Sequence, residues 1–108
     1  MAGQSIRDNI LAGRPLRRGD YEACLAACCL GPDLAQMSEG DETLVGEKGV
    51  TLSGGQRSRV ALARACYAAP ELVVLDDTFC AMDATVSADV FERAICGLLQ
   101  DRTVLMTT

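Results

Sequence analysis

Histidine and tryptophan are absent from this 108-residue chain, and only two Phe and two Tyr occur, so any core must be aliphatic and alanine-rich. The missing histidine removes imidazole as a metal ligand, and the six cysteines do not replace it. No two of them stand at the two-residue gap of a structural zinc site: Cys24, Cys28 and Cys29 fall in one apolar stretch, while Cys66, Cys80 and Cys96 are scattered singly. They read as small buried hydrophobes of a reducing compartment. No apolar run approaches the ~20 residues of a membrane-spanning helix, and the N-terminus lacks a signal-peptide core, so a membrane link would have to come through a partner or a further segment. A positive excess is lacking too: the formal net charge of −5 argues against a nucleic-acid partner. Glu39, Asp41, Glu42 and Glu47 read as a solvated acidic loop. A Gly-x-x-x-x-Gly-Lys-Ser/Thr phosphate loop occurs nowhere in the chain, nor does an internal repeat or a low-complexity tract. The length suits one small domain.

What is present centres on two stretches. Leu52-Ser53-Gly54-Gly55-Gln56 stands directly before a run with helical composition and period, from Arg57 to Ala65. Ser53 is a natural N-cap there. Two glycines beside a helix start let a bulky anion approach the backbone, and the unpaired N–H groups favour its charge. A bare turn before a helix is the plainer alternative for Ser-Gly-Gly taken alone. The second stretch, Leu72-Val73-Val74-Leu75-Asp76-Asp77, follows Pro70 and has the short continuous apolar run of a strand buried on both faces. Carboxylates at the C-terminal end of such a strand stand where open α/β sheets bind ligands and where magnesium is commonly held.

Taken in order, the chain predicts a short helix after Ser5, with Asp8 completing an approximate capping box and Gly13 ending it. Asp20 is placed to cap a second helix running through Leu30, with Cys24, Leu25, Cys28 and Cys29 on one face and Gly31-Pro32 stopping it. One further helical turn is expected over Asp33 to Met37, then irregular structure from Ser38 to Thr51. The helix after Ser53 should run from about Gly54 to Tyr67, with Val60, Ala63 and Tyr67 on one face and Arg57 and Arg64 solvated on another. After a loop from Thr78 to Asp83, Val86, Val90, Ala94 and Leu98 recur at helical spacing, and Arg102 to Thr107 reads as a final strand.

Leu-Ser-Gly-Gly-Gln followed by a helix and an apolar strand ending in Asp-Asp resembles the nucleotide-binding domain of an ABC transporter, with its signature motif and Walker B strand. The likeness extends outward. Ser5 to Gly13 is similar to the segment after the glutamine loop in exporters, Thr43 to Gly49 resembles the segment before the signature, and Ala81-Met82-Asp83 matches the end of the D-loop. Gly46 to Gly49, the Asp-Asp ending and Phe91-Glu92 look most like the multidrug-resistance-associated (C) subfamily.

That resemblance implies a partial P-loop NTPase fold of α/β class. Residues 1–68 would form the helical signature subdomain, and residues 69–108 part of the ATPase core with Walker B and D-loop. It implies ATP and Mg2+ as cofactors, a second nucleotide-binding domain as head-to-tail partner, and transmembrane domains that hold the chain at the cytoplasmic face of a membrane. Ser53, Gly54, Gly55 and Gln56 would contact the γ-phosphate of ATP held by the second domain. Asp76 would bind magnesium, Asp77 stands where the family's glutamate polarises the attacking water, and Asp83 would signal across the dimer; a plain N-cap is the alternative for Asp83. The family's glutamine loop would lie before residue 1 and its switch histidine after Thr108, so the chain would hold about the middle half of the domain. Asp77 is one methylene shorter than glutamate, which shortens the reach of a base, and Thr78 replaces the usual proline. With the phosphate loop missing, hydrolysis by this chain alone is not expected. Two functions follow: the signature half of a composite ATPase site in a transporter, or a non-catalytic module that pairs with a complete nucleotide-binding domain.

Overall fold

A computed structural model describes residues 4–46 and 49–107. Glu47 and Lys48, which carry part of the C-subfamily likeness and one carboxylate of the acidic loop, lie outside the described residues.

The first helix, α1 (Ile6–Leu11), starts where Ser5 Oγ accepts the Asp8 N–H at 3.0 Å. It ends one residue earlier than the glycine suggested: Ala12 takes the left-handed conformation at φ 49°, and Gly13 follows at φ 83°. Helix α2 (Arg18–Ala27) begins two residues before Asp20, with Arg17 at its N-cap. Asp20 is therefore no cap; it sits in the first turn and accepts from Arg17 Nε at 2.8 Å. Nor does α2 reach Leu30. Cys29 adopts φ 55°, which breaks the helix, and Gly31-Pro32 opens a separate helix α3 (Gly31–Ala35) instead of stopping α2. Proline is tolerated in a first helical turn because its missing N–H has no partner there.

Helix α4 (Gly54–Ala68) runs one residue past the expected end and buries Val60, Leu62, Ala63, Cys66 and Tyr67. Arg57 and Arg64 are exposed, as the spacing suggested. Tyr67 fastens the basic turn before α2: its hydroxyl accepts the Arg17 N–H at 2.7 Å and donates to the Pro15 carbonyl, while the Arg17 guanidinium lies 4.6 Å above its ring. The segment between α3 and α4 is irregular apart from a 3-10 turn over Gly40–Glu42 and single bridges that pair Ser5 with Leu44 and Val45 with Val50. Asp41 holds it down, accepting from Arg7 Nε at 2.9 Å and from the Tyr21 hydroxyl at 2.7 Å. Burial would push the Asp41 carboxyl up, but those bonds from Arg7 and Tyr21 outweigh it and hold its pKa below the ordinary carboxylate value.

Strands β1 (Leu72–Asp76) and β2 (Thr103–Thr107) form a two-stranded parallel sheet in which Val73 faces Val104 and Asp76 faces Thr107. The expectation of a strand buried on both faces is corrected here. Val73 and Leu75 are buried, whereas Val74 is 65% exposed and Leu105 beside it 56%. Side chains alternate along a strand, so burial alternates along β1, whereas β2 is exposed apart from the half-buried Val104.

The crossover between the strands is helix α5 (Ala84–Val90), which continues as a π-helical stretch from Phe91 to Leu98. The widened turn changes the buried face. Spacing of four from Val90 and Ala94 points to Leu98, yet Leu98 is exposed and Leu99 is buried, with its N–H bonded to the Ala94 carbonyl five residues back. Residues from α1, α2, α4, β1 and this helix share one apolar cluster that includes Ile10, Cys28, Leu62, Leu75 and Val90.

Candidate functional site

Ser53 takes an extended conformation (φ −66°, ψ 166°) after the buried Leu52, which aims its side chain back over the start of α4. Its Oγ accepts the Gln56 N–H at 3.1 Å, and Gln56 Oε1 accepts the Ser53 N–H at 2.9 Å. This reciprocal capping box occupies the donors of Ser53 and Gln56. Helix geometry leaves the Gly54 and Gly55 N–H groups without intrahelical acceptors, at the positive end of a helix of 15 residues. Ser53 itself is exposed; the two glycines are half-buried.

The glycines also answer to the loop that follows β1. A Cβ on Gly54 would come within 3.2 Å of the Ala81 Cβ, and one on Gly55 within 3.0 Å of the Ala81 carbonyl oxygen. The two stretches singled out in the sequence are thus brought together through Ala81, and the absence of side chains at 54 and 55 is what lets the loop approach the helix start. Asp83 ends that loop as the N-cap of α5, its Oδ1 accepting the Val86 N–H at 2.9 Å.

At the end of β1 the paired carboxylates are arranged by the neighbouring strand. Thr107 Oγ1 donates to Asp76 Oδ1 at 2.5 Å and accepts the Asp77 N–H at 3.2 Å. Asp77 adopts φ 51°, a left-handed conformation that aspartate tolerates better than most side chains. This turn directs the chain away from the sheet into the 78–83 loop. Asp77 lines a cleft of about 250 Å³ with Phe79, Cys80 and Thr107, and both carboxylates are exposed. Among the described residues no hydrogen bond joins the Ser53 turn to Asp76 or Asp77.

The residue that local spacing does not reveal is Arg59. Its Nη1 donates to Asp33 Oδ2 at 2.7 Å and to the Cys29 carbonyl at 2.7 Å, and Asp33 Oδ1 also accepts from Gln56 Nε2 at 3.1 Å. Asp33 lies 26 positions before Arg59, so only the fold joins them. Thr107 was likewise legible as a strand residue but not as the clamp on Asp76 and Asp77. The expectation of six buried cysteines holds for only three: Cys24, Cys28 and Cys66 are buried, Cys29 is half-buried, and Cys80 and Cys96, on the loop after β1 and on the π-helical stretch, are exposed. Burial pushes the Cys24 thiol up to about 12, and a hydrogen bond with Cys66 together with burial raises Cys28.

A family model described as "ABC transporter" matches residues 27–80, which include the Ser53 turn, α4 and the paired carboxylates. The chain belongs to the ABC transporter family. Within it, the relatives point to the C subfamily. The chain is 51% identical over 104 residues to ATP-binding cassette sub-family C member 10 of Homo sapiens, covering 96% of this chain and 7% of that protein. It is 46% identical over 107 residues to Bile pigment transporter 1 of Saccharomyces cerevisiae, again 96% and 7%. With ABC transporter C family member 2 of Dictyostelium discoideum it shares 42% over 104 residues, 96% of this chain and 8% of that protein. The chain thus spans 7 to 8% of the length of these relatives. Among the described residues no helix of this ABC-family chain is long and apolar enough to cross a membrane.

Proposed function

We propose that this chain is the signature-bearing part of the ATP-binding domain of a C-subfamily ABC exporter, with residues 1–68 as its helical subdomain and 69–108 as part of its ATPase core. It supplies one half of a composite ATP site formed head to tail with a second nucleotide-binding domain, and transmembrane domains hold the pair at the cytoplasmic face. Ser53, Gly54, Gly55 and Gln56 contact the γ-phosphate of the ATP carried by the second domain. The single observation that carries this reading is the Ser53 turn. Its hydroxyl is exposed, its capping box is closed, and the two following N–H groups are free of intrahelical acceptors, as an incoming phosphate requires.

The donors at the end of β1 suit Mg2+. That ion keeps several waters and takes one or two carboxylates plus substrate phosphates. Among the described residues no group of three or more acidic or cysteine side chains is placed to enclose an ion, while Asp76 offers an exposed carboxylate oriented by Thr107. Asp76 would hold the magnesium, which would supply positive charge to offset that of the phosphate. Asp77 would orient and polarise the attacking water, and Asp83 would signal across the dimer while capping α5.

ATP hydrolysis measured for the chain alone, and for the chain mixed with a complete nucleotide-binding domain, tests this. A change in the mixture that Ser53→Arg abolishes is the expected result; robust hydrolysis by the chain alone, or a mixture indifferent to Ser53→Arg, sinks it. The short reach of Asp77 favours a second reading, a non-catalytic module that pairs through the same face.

A further inference from the structure

The Gln56 side chain is held at both ends, and only one end belongs to the capping box. Its Oε1 accepts the Ser53 N–H at 2.9 Å, and its Nε2 donates to Asp33 Oδ1 at 3.1 Å. A carboxylate only accepts and a backbone N–H only donates, so a single amide orientation satisfies both partners. Asp33 is fixed in turn by Arg59, through Nη1 to Oδ2 at 2.7 Å and Nη2 to Oδ1 at 3.4 Å. Arg59 also ties down the Cys29 carbonyl at 2.7 Å, which joins the end of α2 to α4, and its side chain is only 11% exposed.

We propose that Asp33, oriented by Arg59, is a positioning residue for the nucleotide-contacting turn: acting through Gln56, it holds Ser53 and the N–H groups of Gly54 and Gly55 in the geometry that receives phosphate. The proposal rests on the ATP-site reading above. A glutamine bonded only through Oε1 to Ser53 is fixed at one end alone and can swing out of the box by changing its χ rotamers, and with it the turn can open. Adding a charged acceptor on the far side removes that freedom with one of the stronger hydrogen bonds available to a neutral amide. Asp33 is able to do this because it stays ionised. Burial would push its carboxyl up, yet the hydrogen bonds from Arg59 and Gln56 outweigh burial and leave it below the ordinary carboxylate value. The group is also reachable: Asp33 and Arg59 line one wall of a cleft of about 580 Å³ with Pro32, Val86, Asp89 and Arg93.

Two readouts on the full chain decide it. In nitrogen-15 spectra, Asp33→Ala should shift the Ser53 amide and both Gln56 side-chain protons, with Asp33→Asn, isosteric and still an acceptor, shifting them less. Asp20→Ala, which removes only an exposed pair with Arg17, should leave them in place. In the mixture with a complete nucleotide-binding domain, Asp33→Ala should raise the KM for magnesium ATP about tenfold while kcat changes less than about twofold, and Asp33→Asn should recover part of the loss. If Asp33→Ala does not fold, Asp33→Asn against Asp20→Ala carries the same comparison. Unmoved Ser53 and Gln56 signals overturn the proposal whatever the kinetics. Shifted signals with an unchanged KM, in a mixture that Ser53→Arg abolishes, overturn it as well. A mixture blind to Ser53→Arg overturns the ATP-site reading instead, and the spectra still decide whether Asp33 positions the turn.

Discussion

The helical part and the sheet part of this chain are built to different degrees of closure. In the helical part α4 packs one face into the core: Leu62 is 0% exposed, the half-buried Asp33–Arg59 and Asp41–Arg7 charges are paired, and no side-chain polar atom buried among the described residues lacks a partner. The β1–β2 pair has one packed face and one that presents Leu72, Val74 and Leu105 to solvent. Parallel strands are ordinarily covered on both faces. The same residue types, Leu and Val, therefore carry large or small stabilising roles according to which side of the sheet they stand on.

The largest expected contrast is Leu62→Ala against Val74→Ala. The first should cost about 2–5 kcal/mol in urea unfolding, by lost transfer energy and an unfilled cavity; the second should stay within about 0.5 kcal/mol, because Val74 is already mostly in water. Equal losses would mean that the open face is covered in solution. Next come the two capped helix starts, one in each part. Ser53→Ala and Asp83→Ala should each cost about 1 kcal/mol, and a clearly smaller loss at Asp83 would mark α5 as already frayed.

Glycine substitutions sharpen the comparison further. Gly19 lies in α2, and a methyl group added there would meet nothing within 4 Å, so Gly19→Ala should stabilise by about 0.5–1 kcal/mol. Gly55→Ala gains the same helix propensity but meets the Ala81 carbonyl, and thermal unfolding should place it about 1 kcal/mol below Gly19→Ala. The smallest effect is on pH. Asp41 has a folded pKa below its ordinary value, so its stabilisation is fully present above the unfolded pKa near 3.8 and is lost as pH falls through the folded value. Asp41→Asn should therefore lower stability at pH 6 and flatten the acid limb below pH 4, which urea titration across that range would reveal.

Much of this was readable from residue types and their spacing. Ser53 before a helical run announces an N-cap, and so does Asp83 before the apolar helical run that follows it, because such a bond closes within one turn. Leu72 to Leu75 had to be a strand, being short, apolar and β-branched at its centre. Asp20 misled because a good cap residue stood two positions inside a helix that the chain began at Arg18, where Arg17 could already pair with it. Leu98 misled because spacing assumes 3.6 residues per turn, and the π-helical stretch after Val90 does not keep it.

Residue order was enough for most of the elements, for the caps at Ser5, Ser53 and Asp83, and for the family, since these depend on neighbours within a few positions or on the succession of motifs. It took the folded chain to press Ala81 on Gly54 and Gly55, to set Thr107 against Asp76 and Asp77, and to bring Asp33 to Gln56 across 23 positions. The difference is one of range. A cap forms inside one turn of chain, whereas a clamp between distant side chains exists only once packing has brought their backbones within hydrogen-bond distance.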